Sequence, residues 1–290
     1  GLLVNPRNKK IYFCDQINLI VLNSKNGSPD INFGKNGKIK LKNKCQTTPI
    51  IIENKVIIAT FEPGIEVYNL KNGKTEWKYY LKEKQKKYFR YGGKRFDYDG
   101  GNPWGGISAD LERKILFIST GNSARFYDGV NRPGNNKYSN SVIALDINKK
   151  KILWDFQEIP HDIWNQDIAS PPILTTITIK NKKIDVVTVP TKSGNVLVLD
   201  RITGKSIFDY KNIKVPLSKT QGEKTSFYQK KFILPEPISN QTFQLNHVSN
   251  LLPESKEFIL DKIKNTKYGF FLPNSTKYKN IIYKGGAQWM

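Results

Sequence analysis

Four short segments set the strongest limit on how this chain can fold, because they repeat one order of residue types. They are Val21-Leu-Asn23-Ser-Lys-Asn-Gly27, Val67-Tyr-Asn69-Leu-Lys-Asn-Gly73, Ala144-Leu-Asp146-Ile-Asn-Lys149 and Val198-Leu-Asp200-Arg-Ile-Thr-Gly204. Each is the end of an apolar strand, then Asn or Asp, then a turn leading into another strand. Asn-Gly and Thr-Gly supply the positive φ that a tight hairpin requires. Trp77 and Trp154 follow the turn in two copies, and Phe208 takes that place in the last. Asn23, Asn69, Asp146 and Asp200 lie 46, 77 and 54 residues apart, and the long interval holds an insertion near 81–103.

Around these turns the chain is rich in short β-branched and aromatic runs bounded by Asn, Gly or Pro. Examples are Ile11-Tyr-Phe-Cys14, Val56-Ile-Ile-Ala-Thr60, Ile115-Leu-Phe-Ile-Ser-Thr120 and Val186-Val-Thr-Val189. Helical periodicity is scarce before about residue 240. A unit of four strands recurring every 45–55 residues or so marks the blades of a β-propeller, with an irregular sandwich as the alternative. The fold class is therefore all-β. Residues 1–211 read as about four blades, residues 212–280 as a long excursion, and residues 281–290 as the start of the next blade. Within the excursion, 219–224 and 235–237 read as loop and 251–265 as helix-like.

Composition excludes several classes. Hydrophobic residues at 38% and aromatics at 12% are too abundant for a disordered chain. The formal charge of +22 comes mostly from 40 lysines against seven arginines, the skew of an A/T-rich coding sequence laid over a solvated surface. Residues 80–96 mix lysines and arginines with Tyr88, Phe89 and Tyr91, a basic and aromatic pattern. No nucleic-acid-binding module accompanies it, so nucleic acid is not expected as a partner. No run of about 18 apolar residues suggests a membrane span, and the first 30 residues lack a signal-peptide core. Cys14 and Cys45 could bridge or stay reduced. His161 and His247 are the only histidines, which excludes a Cys/His zinc site.

A set of motifs in fixed order carries the chemistry. Gly100-Gly-Asn-Pro-Trp-Gly-Gly106 leads to Ser119-Thr-Gly-Asn122, then Asn131-Arg-Pro-Gly134 and Ser141-Val-Ile-Ala-Leu-Asp146. His161-Asp-Ile-Trp-Asn-Gln-Asp167, Pro190-Thr-Lys-Ser-Gly194 and Gly222-Glu-Lys-Thr-Ser226 follow. In this order they resemble the dehydrogenases dependent on pyrroloquinoline quinone (PQQ), above all the membrane glucose/quinate type. The resemblance runs from about residue 10 to 290. It implies an eight-bladed propeller of which this chain supplies about half, so an internal piece of a longer protein is expected.

The resemblance also implies roles. Trp104 matches the tryptophan that floors the flat cofactor, a stacking partner for its rings. Lys192 matches a cation that bonds the quinone carbonyl and stabilises charge developing there. Asn122, Glu62 and Asn165 fall where the family places oxygen ligands to Ca²⁺, and a lanthanide is the less favoured metal. Trp289, after Gln288, matches a segment that approaches the cofactor. Relatives carry an aspartate at position 165 as the general base. This chain has Asn165, whose amide can ligate a metal but cannot take a proton at neutral pH. Asp167 or Asp162 could take the proton instead, and His161 is read as a structural hydrogen-bonding residue. The implied reaction is hydride transfer from a sugar, polyol or other alcohol to the quinone, with electrons passed to ubiquinone or a cytochrome. The implied location is the periplasm, with membrane anchoring through a segment outside these residues. A propeller that binds partners without catalysis is the competing class, favoured by Asn165 and opposed by Trp104, Asn122 and Lys192.

Overall fold

The structure, a computed structural model, describes residues 1–82, 88–91, 94–97, 100–124, 126–275, 277 and 279–281. Strands β1 (Leu2–Asn5), β2 (Lys10–Cys14), β3 (Asn18–Asn23) and β4 (Lys38–Lys40) form the first sheet. β5 (Ile50–Ile52), β6 (Lys55–Thr60), β7 (Gly64–Asn69) and β8 (Thr75–Tyr80) form the second. The insertion contributes a hairpin of β9 (Tyr88–Tyr91) and β10 (Lys94–Asp97). The third sheet holds β11 (Gly106–Asp110), β12 (Ile115–Ser119), β13 (Ser141–Asp146) and β14 (Lys151–Gln157). β15 (Ile173–Ile179), β16 (Lys182–Pro190) and β17 (Val196–Asp200) make the fourth, extended by a lone bridge between Leu199 and Ser206. Within each of these four sheets consecutive strands pair antiparallel, the meander of a propeller blade.

The sequence repeat corresponds to one turn built four times. Asn23, Asn69, Asp146 and Asp200 each accept, at the side-chain oxygen, the backbone N–H two residues on. In three copies the glycine N–H then closes on the carbonyl of the same Asn or Asp at 2.9 Å. Those glycines have φ of 71–73°, whereas the third copy puts Lys150 at φ 55° in the left-handed region.

Central strands are buried on both faces, so they read as continuous apolar runs. Successive side chains point to opposite faces. Val56 and Ile58 of β6 pack with Tyr12, Leu19 and Val21 of the first sheet, while Ile57 and Ala59 pack with Leu116, Ile118, Ile143 and Leu145 of the third. Ile115 and Phe117 turn the other way, onto Val187, Val189, Leu197 and Leu199 of the fourth. Each blade is thereby sealed to its neighbour by an apolar layer. Trp154 adds a bond across the last seam, donating its indole N–H to the Arg201 carbonyl at 3.2 Å.

Cys14 and Cys45 form a disulfide, which decides the alternative that the sequence left open. The region after the blades is not all loop. β18 (Tyr210–Lys214) and β19 (Tyr228–Phe232) pair antiparallel, and the lysines within them obscure the strand pattern in sequence. Helix α1 (Pro253–Ile263) follows, with Pro at its first turn and no buried residue. β20 (Thr266–Tyr268) and β21 (Lys279–Ile281) make a short parallel pair. Among the described residues no helix is long and apolar enough to cross a membrane.

Candidate active site

The meander places one end of every blade on the same face. Trp104 precedes β11, Asn122 follows β12, the 161–168 turn follows β14, and Lys192 lies in the β16–β17 hairpin. All four points are at that one end of the third and fourth sheets, where chain connections are free to carry functional side chains.

Asp167 is where these segments meet. Its Oδ1 accepts the backbone N–H of Asn122 at 2.7 Å and the indole N–H of Trp104 at 3.4 Å. Its Oδ2 accepts from Lys192 Nζ at 2.9 Å, and the Lys192 N–H reaches the Asp167 carbonyl at 3.3 Å. Asp167 and Lys192 are 5% and 7% exposed, so the pair is largely withdrawn from water. Removing one partner of such a pair leaves an uncompensated charge and costs about 3–5 kcal/mol. Gly121 is needed for this approach, since a Cβ there would stand 2.4 Å from Asp167 Oδ1 and 2.5 Å from Trp104 Nε1.

The hairpin bearing Lys192 is fixed from behind. Thr191 Oγ1, Ser193 Oγ and Asn195 Nδ2 all donate to one oxygen of Glu158, at 3.0, 2.6 and 2.8 Å. Glu158 is fully buried, and burial pushes its carboxyl above the usual range despite those three bonds.

Asn122 is 5% exposed, and its amide nitrogen donates to the Phe126 carbonyl at 3.1 Å. Its side-chain oxygen is buried with no hydrogen-bond partner among the described residues. An orphaned amide oxygen is costly, and a hard cation would satisfy it. Asn165 is half-buried at φ 58°, a left-handed conformation that Asn tolerates better than most residues. Its amide donates to the Tyr127 hydroxyl at 3.3 Å.

Asp162 has a turn-building part that the sequence did not reveal. Its carboxylate accepts the N–H groups of Trp164 and Gln166 at 2.8 and 2.7 Å, and Asn140 Nδ2 at 2.9 Å. It thus winds the turn on which Asn165 and Asp167 stand. Burial raises its carboxyl to about 6, the charge of Asp167 adding to the rise, even though the hydrogen bonds oppose it.

Glu62 lies between β6 and β7, in the loop that corresponds in its blade to the one bearing Asn122. Its side chain is 44% exposed and pairs with Lys82 at 3.6 Å. Gln288 and Trp289 lie outside the described residues, as does part of the basic 80–96 stretch. Among the described residues no cluster of three or more His, Cys, Asp or Glu is grouped as a metal site. Any oxygen ligands drawn from Asn122 and Asn165 are amides.

Residues 5–290 match the family model described as PQQ glucose/ethanol/alcohol dehydrogenase, β-propeller domain. The chain belongs to this family. It is 26% identical over 248 residues to the quinoprotein glucose dehydrogenase of Escherichia coli (strain K12), covering 78% of this chain and 30% of that protein. It is 25% identical over 273 residues to the quinate/shikimate dehydrogenase (quinone) of Acinetobacter baylyi, covering 86% of this chain and 34% of the relative. The chain therefore spans about a third of the length of these two relatives. Among solved structures, a europium-containing methanol dehydrogenase resembles it with a TM-score of 0.59 at 23% identity, over 71% of this chain and 40% of that one. That likeness shows the propeller fold, and the family assignment rests on the match over residues 5–290.

Proposed function

We propose that this chain supplies part of the quinone site of a PQQ-dependent dehydrogenase that oxidises a sugar, polyol or other alcohol. The observation that carries the reading is the meeting of Trp104, Asn122 and Lys192 on Asp167. These segments lie 25 to 63 residues from Asp167 in sequence, and a turn network alone gives no reason for a lysine, an indole and the backbone of Asn122, whose own amide oxygen is orphaned, to converge on one carboxylate.

In this reading Trp104 offers a flat indole face to the cofactor, Lys192 a cation, and Trp289 a further contact. Asn122 and Asn165 offer amide oxygens to Ca²⁺, with Glu62 as the acidic ligand. The bound quinone would supply the hydride acceptor, and Ca²⁺ the Lewis acid. The substrate hydroxyl proton needs a base within the chain. Asn165 cannot be that base. Asp162 is wholly enclosed, its carboxylate taken by two N–H groups of its own turn and by Asn140, whereas Asp167, which also serves three donors, keeps 5% exposure. Asp167, the carboxylate of the hub, is assigned the proton, and Lys192 holds it in place. Electrons would pass to ubiquinone or a cytochrome. The Cys14–Cys45 disulfide suits an oxidising compartment such as the periplasm, with any membrane attachment made by a segment outside these residues.

Asn165 also favours a second reading, a propeller that binds quinone or a protein partner without turnover. The two separate in one experiment on the full-length protein supplied with PQQ and Ca²⁺. Quinone binding is followed by visible absorbance, and alcohol oxidation by an artificial acceptor. Turnover that Asp167→Asn lowers by about a hundredfold supports Asp167 as base. A silent wild type revived by Asn165→Asp supports the non-catalytic reading. A protein that binds no quinone removes the dehydrogenase reading.

A further inference from the structure

His161 opens the turn that carries Asn165 and Asp167, and it does so at φ 50°, a conformation unfavourable for a residue with a Cβ. Its two ring nitrogens both face oxygens. Nδ1 lies 2.7 Å from the Gly134 carbonyl, and Nε2 lies 2.7 Å from Glu223 Oε1. Glu223 comes from the excursion, 62 residues further along the chain. Its other oxygen accepts the N–H of Gly129. Both side chains of the pair are 1% exposed. Packing on the Gly129 side is tight, since a Cβ there would stand 2.2 Å from His161 Nε2.

We propose that Glu223 is a positioning residue of the candidate site: by joining His161 to Gly129 it clamps the excursion onto the turn that bears Asn165 and Asp167. Neighbouring bonds run in the same direction. Gln229 donates to the Pro160 carbonyl at 2.9 Å, and Lys230 donates to the Gln157 carbonyl at 2.8 Å. Burial opposes ionisation of Glu223, but the bonds from His161 and Gly129 hold its carboxyl below the usual range. Both ring nitrogens of His161 are thus held between oxygens, one from the Gly134 backbone and one from Glu223. Arg132, itself fully buried, donates to the Asp162 carbonyl on the next residue and shares the enclosure with this pair.

A glutamine at position 223 can still serve both partners, with its oxygen toward Gly129 and its amide nitrogen toward His161 Nε2. Alanine can serve neither. The effect on catalysis rests on the dehydrogenase reading, while the clamp itself does not. The test is peptide-resolved hydrogen exchange on the full-length protein, comparing wild type, Glu223→Ala, Glu223→Gln and the exposed control Glu236→Ala. Glu223→Ala is expected to speed exchange across 129–136 and 161–168 about tenfold, with β12 and β13 unchanged. Glu223→Gln should restore most of that protection, and quinone affinity should fall and recover in step. Equal exchange at 161–168 in wild type and Glu223→Ala overturns the clamp. If the alanine variant loosens β12 and β13 as well, Glu223→Asp, one methylene shorter, must give the local change alone, and no change there overturns the clamp too. A wild type that binds no quinone yet shows this exchange pattern overturns the dehydrogenase reading and leaves the clamp standing.

Discussion

Leu116 of β12 and Phe258 of α1 are both large apolar side chains, yet Leu116 is fully buried and Phe258 is 60% exposed. The contrast extends to their surroundings. Leu116 sits in an apolar layer shared by two blades, with Ile57, Ile118 and Ile143. The helix of Phe258 buries none of its residues, and much of what holds the excursion to the blades is polar: Glu223 on His161, Gln229 on Pro160, Lys230 on Gln157, and Gln241 on Ser193 and Asn195. Apolar burial is non-directional and accounts for stability. Buried hydrogen bonds contribute less net free energy but fix geometry, because leaving one unmade is costly. The blades therefore set whether the chain folds, while these bonds, together with the packing of Ile163 and Trp164 on Val215 and Phe271, set where the 161–168 turn stands.

That division can be broken by substitution. Leu116→Ala should cost about 2–5 kcal/mol in urea unfolding, through lost transfer energy and a cavity between two sheets. A loss below about 1 kcal/mol would mean the seam is loosely packed. The polar region should show itself in pH dependence instead. Asp162 has its carboxyl raised from 3.8 to about 6 by burial, so the folded chain holds this proton more tightly than the unfolded chain. Its contribution to stability is fully present below the lower value and declines as pH rises toward the higher one, by something on the order of 3 kcal/mol. Denaturant curves at intervals across that window should show this decline in wild type and not in Asp162→Asn; parallel pH profiles in the two proteins would contradict the assignment. Phe258→Ala completes the contrast. Its cost should stay within about 0.5 kcal/mol, since the ring is mostly in water already.

What could be read from sequence divides along the same line. The blade turns were legible because Asn23, Asn69, Asp146 and Asp200 each act on residues two or three positions away, and local hydrogen bonding has a local signature. Alternation along β6 and β12 was legible for the same reason. The convergence on Asp167 was not, because its partners lie 25, 45 and 63 residues away, and no spacing rule reaches that far. Trp104, Asn122 and Lys192 were singled out by resemblance, which names residues without saying what they bond to. Gly222-Glu-Lys-Thr-Ser226 is a recognisable motif, but the part played by Glu223 depends on Gly129, 94 residues earlier, and has no local signature. The hairpin of β18 and β19 was hidden by lysines at positions 211, 214, 230 and 231.

The central claim is that Asp167 gathers a quinone site, and calorimetric titration of the full-length protein with PQQ in the presence of Ca²⁺ tests it most directly. Wild type should bind, and Asp167→Asn should bind about tenfold or more weakly, because the amide no longer offers Lys192 a charged partner and gives up an acceptor oxygen. No binding by wild type, or equal affinity in the two proteins, would contradict the account.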